Sequence, residues 1–136
     1  MFFFYWVISI ACLPFLEGSS AAKHPIDIWL AGCMEKNPST QGMNACLGQA
    51  YEKWDLELNR VYRELSDCLN ADTKAVFREA QRAWLVFRDR ELAYLSSFYG
   101  GLAGTMYGTM LAADRVDLVK RRVLELESYL DVIRQR

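Results

Sequence analysis

The sequence predicts an all-α protein: a short N-terminal helix stapled to an antiparallel bundle of three long helices. Three observations lead there. Apolar residues recur at gaps of three and four along each long segment, strand-type alternation is absent, and two cysteines flank a Pro-Ser-Thr-Gln-Gly connection in CMEKNPSTQGMNAC. Gaps of three and four place residues on one face of a helix with 3.6 residues per turn.

The chain opens MFFFYWVISIACLPFL, apolar almost without break. A bilayer span needs about 20 apolar residues, so this run has the length of a signal-peptide core instead. Ser20 and Ala22 in SSAAK supply small residues for cleavage. Residues 1–22 are therefore expected to be a signal peptide cleaved after Ala22, although no Lys or Arg precedes the apolar run. The alternatives are lipidation at Cys12 and retention as an anchor. Processing as expected places the protein in the periplasm or outside the cell, with no stable membrane span. Residues 23–136 then make one domain by size. That part carries no net charge, which argues against a nucleic-acid partner. Residues 23–72 are acidic on balance and residues 73–136 basic, as expected of helix faces that attract one another.

Pro25 suits the first turn of a short helix carrying Ile26, Trp29, Leu30 and Cys33. Asn37-Pro38 ends it, because the residue before proline is driven out of the helical region. Thr40 is the expected cap of the second helix, whose seam is Met43, Leu47, Tyr51, Trp54, Leu58, Val61, Leu65 and Cys68. Asn70 or Asp72 caps the third, with the stripe Phe77, Ala80, Trp84, Phe87, Glu91, Tyr94 and Phe98, and Gly100-Gly101 stops it. The fourth carries Ala112, Val116, Val119, Val123, Leu126, Leu130 and Ile133. Gly100, Gly104 and Gly108 recur every four residues before it, a smooth face for close packing or, alternatively, a surface groove for a partner.

An exported chain sits where disulfides persist. Cys46 and Cys68 fall on one helix, roughly 33 Å apart at 1.5 Å per residue, too far to bond. Cys33 with Cys46 is the workable pair, leaving Cys68 as a buried free thiol. Zinc would need further ligands, and the only histidine, His24, lies in an N-terminal stretch expected to be flexible. If the second and third helices fold back around residues 70–71, Asp55 falls near Arg88, Asn59 near Gln81, and Glu91 near the Tyr51 hydroxyl. Buried polar groups need such partners. Carboxylate pairs such as Glu52/Asp55 and Asp89/Glu91 read as structural, and no nucleophile or metalloprotease motif is present. The chain thus reads as an exported, disulfide-stapled helical module with no visible catalytic centre and no cofactor.

The spacing C-x6-T-x2-M-x2-C, here Cys33, Thr40, Met43 and Cys46, is followed by AYEKWDLELNRVYREL and AQRAWLVFRDRE. This combination resembles the small secreted proteins related to LprI-type lysozyme inhibitors, over nearly all of residues 27–127. Within it, Trp54, Asp55, Leu58, Asn59, Tyr62, Gln81, Trp84, Arg88 and Asp89 stand at family-motif positions. Many members carry a second cysteine pair; this chain has Leu92 at one of those places and no cysteine near Met110–Asp114. The resemblance implies a protein partner, with a lysozyme as first candidate, and no enzymatic activity. An envelope adaptor with another partner is the alternative. Lysozymes commonly present a cationic surface, so the candidate contacts are acids of the acidic part, Glu35, Glu52 and Glu57, with the stapled turn 37–42 as a rigid insert.

Overall fold

The computed structural model describes residues 23–135, so the expected signal segment and Cys12 lie outside the described residues. Four helices follow in order: α1 (Pro25–Lys36), α2 (Thr40–Asp67), α3 (Ala71–Gly100) and α4 (Thr105–Arg134). None of them is long and apolar enough to cross a membrane.

Local chemistry sets the helix ends. His24 caps α1, its Nδ1 accepting from the Ile26 amide at 3.2 Å, with Pro25 in the first turn. Ser39, one residue before the expected Thr40, caps α2 by accepting from the Gly42 amide. Asn70 caps α3 through the Thr73 amide. Gly104 opens α4 at φ 134, a backbone conformation that disfavours any side chain. Gly42 matters for a different reason. A Cβ there would lie 2.8 Å from both the Cβ and the carbonyl oxygen of Asn37, so the close return of α2 past the end of α1 requires glycine.

The three long helices run up, down and up. The main packing unit is therefore α2 against α4, which lie parallel, joined by α3 as the returning connection. Cross-links between them keep one register: Arg115 over the Tyr51 ring at 5.4 Å, Arg60 with Glu127 at 4.0 Å, and Arg134 with Glu64. The seams expected on α2 and α4 meet here. Leu47, Trp54, Leu58, Val61 and Leu65 interlock with Val116, Val119, Val123, Leu126 and Leu130, and all are buried. The partly buried Ile26, Trp29 and Leu30 of α1 cover this core. His24 is not in a loose stretch: its ring lies 4.3 Å from that of Trp54.

The stripe on α3 is placed differently. Phe77 and Trp84 do pack against the core, but Phe87, Tyr94 and Phe98 are about half exposed, and Ala80 is exposed. The inward face instead carries Gln81, the only buried residue of this helix. Arg122 on α4 makes that burial tolerable, because its Nε and Nη2 donate to Gln81 Oε1 at 3.0 and 2.9 Å. The fold-back register holds near the turn, where Tyr62 stacks on Phe77 (5.0 Å) and Arg88 Nη1 donates to Asp55 Oδ1 at 3.2 Å. Farther along it fails, because α4 occupies the flank of α2 that the far half of α3 would have needed. Tyr51 faces Arg115, and Glu91 lines a groove with Arg121 and Arg122 rather than meeting Tyr51. Tyr99 closes this end by donating to Asp114 at 2.5 Å.

Cys68 is exposed, contrary to the buried thiol expected, because it is the C-cap of α2 and has already left the seam. Ser66 is buried in that last turn instead. The glycine row is not a packing face among the described residues either, since none of them lies within 4 Å of where a Cβ of Gly100 or Gly108 would stand.

Candidate functional site

The staple forms as expected. Cys33 and Cys46 are bonded with Cα atoms 5.9 Å apart, fixing the end of α1 to the second turn of α2. Between them the turn from Asn37 to Gln41 is exposed, held by the Ser39 cap and by Asn37 donating to the Cys33 carbonyl at 2.9 Å. A turn closed by a bond at its base and by hydrogen bonds within is a rigid projection.

Beside it lies an uncovered apolar surface. Thr40 and Met43 line a groove of about 290 Å³ with Thr105, Met106, Thr109 and Met110 of α4. Met106 is 61% exposed, and Phe98, Leu102 and Met110 are between 41 and 50% exposed. Tyr94 and Phe98 stack (6.0 Å), and Phe98 meets Tyr99 edge to face (5.1 Å). Where such apolar residues gather in a groove, as Met43, Met106 and Met110 do, they mark interaction sites more often than scattered exposed residues do. A signal for it was present in the sequence. Phe98, Leu102, Met106 and Met110 recur every four residues, offset by two from the glycine row.

The motif residues of the middle of the chain gather elsewhere. Asp55, Leu58, Asn59, Tyr62, Gln81 and Arg88 line a groove of about 370 Å³ between α2 and α3, with Arg78 and Arg82 at its edge. Asn59 donates to the Asp55 carbonyl, and Arg88 reaches both Asp55 and Asp89. Trp84 sits between two guanidinium groups, Arg88 at 5.8 Å and Arg122 at 5.7 Å from its ring. This network adds polar contacts to the Phe77 and Trp84 packing that holds α3 to the core. Trp54 belongs to the core. A double-mutant cycle of Asp55→Asn and Arg88→Gln is expected to show coupling of about 0.5–1 kcal/mol, as for a partly exposed ion pair. Strict additivity in urea unfolding would mean the pair does not form in solution.

The three candidate acids are dispersed. Glu35 is exposed at the end of α1, and Glu52 is exposed beside Arg115 in a groove between α2 and α4. Glu57 is not a free surface acid. Arg60 hydrogen-bonds both of its oxygens, at 2.6 to 3.0 Å, and holds its carboxyl below the usual carboxylate range. It converges with His24 and Glu127 at the other end of α1, a mixed cluster able to hold a metal ion.

The family described as lysozyme inhibitor LprI matches residues 33–126. The chain belongs to the LprI family. An uncharacterised protein of Rhizobium meliloti (strain 1021) is 25% identical over 109 residues, covering 71% of this chain and 77% of its own. The crystal structure of an uncharacterised protein from Burkholderia thailandensis superposes with a TM-score of 0.77 at 30% identity, covering 83% of this chain. This LprI-family chain spans 57% of that protein's length. The matched residues 33–126 start at the stapled cysteine and include the groove of Thr40, Met43, Met106 and Met110.

Proposed function

We propose that the protein is exported and inhibits a lysozyme by stoichiometric binding, with the stapled end of the bundle as the contact surface. Membership of the LprI family over residues 33–126 carries this reading. The exposed Met106 and Met110, lining a groove with Thr40 and Met43 beside a covalently fixed turn, support the choice of surface. A preorganised turn binds at lower entropic cost than a mobile one, and apolar anchors ringed by polar residues supply most of the energy at such interfaces. Glu35 and Glu52 remain as exposed acids that a cationic partner would meet. An adaptor role toward a different envelope protein is the second reading. The polar groove of Asp55, Asn59, Arg78, Arg82 and Arg88 favours it, being a second surface that an apolar end does not explain.

The test is clearance of a cell-wall suspension by several lysozyme types, titrated with the purified protein. Inhibition is expected to saturate near one-to-one and to weaken on reducing the disulfide. Met106→Asp should weaken it while leaving the melting temperature in place, its side chain being 61% exposed. If no lysozyme is inhibited at micromolar protein, the adaptor reading replaces this one.

A further inference from the structure

We propose that His24, Glu57 and Glu127 form a divalent-cation site, matched best to zinc, that ties the start of α1 to both α2 and α4. The three residues come from three separate elements: the cap of α1, the middle of α2 and the last third of α4. His24 Nε2 stands 4.0 Å from Glu57 Oε1 and 3.9 Å from Glu127 Oε1, and the three ligand atoms lie within 4.8 Å of one another. A cation at the centre of a triangle of those dimensions would stand about 2.5 Å from each corner, so the three side chains must close in by roughly 0.3–0.5 Å to make zinc bonds of about 2.0–2.2 Å to imidazole and carboxylate. One imidazole and two carboxylates, with a side left open for water, is a donor set that zinc accepts.

The surroundings favour a cation at that point. All three side chains are sheltered, with 16, 20 and 30% of their surfaces exposed. Glu127 makes no hydrogen bond to the described residues; its nearest charged neighbours are His24 at 3.9 Å and Arg60 at 4.0 Å. The resident cation, Arg60, is 2.6 Å from Glu57 but 4.0 Å from Glu127, and it also grips Glu64 at 2.7 Å. It can therefore keep Glu64 while yielding Glu57. Asp27 and Lys120 nearby are paired with each other at 2.8 Å.

The position has a structural use. Cys33 anchors one end of α1, and His24 caps the other. A metal there would be a second staple. Its formation has a local signature, because Nδ1 now accepts from the Ile26 amide and the neutral ring must carry its proton on Nε2. Metal on Nε2 moves that proton to Nδ1, with no net proton released, and the Ile26 amide loses its acceptor.

The experiment uses the metal-stripped protein carrying Cys68→Ser, which removes the exposed thiol as a competing ligand. Zinc is titrated by calorimetry, with melting followed in parallel. The expected result is one site per chain and a rise in melting temperature on the order of 10 °C at a hundredfold excess over the Kd. The Ile26 amide resonance should shift. His24→Ala and Glu127→Gln should each weaken binding at least tenfold. Glu127→Gln should melt no lower than its parent in chelator, which separates lost binding from lost folding. No saturable binding at millimolar zinc, or unchanged affinity in His24→Ala, would overturn the site. It would leave His24 as the cap of α1 alone, beside two carboxylates it does not bond.

Discussion

Trp54→Ala is expected to destabilise the domain by about 3–5 kcal/mol, the range for truncating a large aromatic in a packed core. Trp54 is fully buried at the middle of the α2–α4 interface. Its ring carries His24 at 4.3 Å on one side and the Lys120 ammonium at 5.8 Å, so α1, α2 and α4 all lean on it. The indole N–H has no acceptor among the described residues, which makes the loss one of packing rather than of hydrogen bonding. Trp54→Phe should therefore recover much of the stability. Urea unfolding monitored by circular dichroism measures both variants. A loss under about 1 kcal/mol for the alanine variant would mean the two long helices pack without this residue, contrary to the geometry. Trp84→Ala should cost less, since that ring is only partly buried and is covered by Arg88 and Arg122.

Replacing Cys33 and Cys46 together with serine is expected to cost about 3 kcal/mol, the loop-closure contribution for a short loop. Their separation is 13 residues. Local effects should exceed the global one. The α1 helix is short and has no fully buried residue, so apart from the bond its hold on the core is the half-buried Ile26, Trp29 and Leu30 together with the His24 and Asp27 contacts. Isolated helices of this length are marginal in water. Hydrogen exchange should therefore accelerate across Pro25–Lys36 well before the α2–α4 core opens. Equal protection of α1 with and without the bond would show that the side-chain contacts alone hold it.

The four helices were legible because each is bounded by residues with one local meaning. Pro25 starts α1, Asn37-Pro38 ends it, Asn70 caps α3, and Gly100-Gly101 stops it. The staple was legible because exclusion needs only the helical rise. The Asp55–Arg88 pair was legible because a short turn fixes the register of its neighbours for the first few turns. The candidate site was less so. The stapled turn could be located, but the apolar row beside it spans a helix end, a loop and a helix start. No single periodicity covers those three, although the four-residue spacing from Phe98 to Met110 was there to be read.

On α3 the sequence offers two faces one residue apart, an aromatic one through Phe87, Tyr94 and Phe98 and a mixed one through Gln81, Leu85, Arg88, Leu92 and Leu95. The aromatic residues draw the eye to the first. The structure turns the second inward, because Arg122 and Asp55 reach it from other helices and satisfy it. A partner supplied from 41 positions away is invisible to any local pattern. The same reason explains His24. In sequence it is a lone histidine before a proline; in three dimensions it lies on Trp54 and points at two carboxylates from α2 and α4. Helix type, boundaries, the α2 and α4 seams and the disulfide follow from the sequence, since they depend on contacts within a few turns. Which face of α3 is buried, that α2 pairs in parallel with α4, and which acids are free for a partner were decided only by tertiary packing, where charges from distant segments settle what each helix can bury.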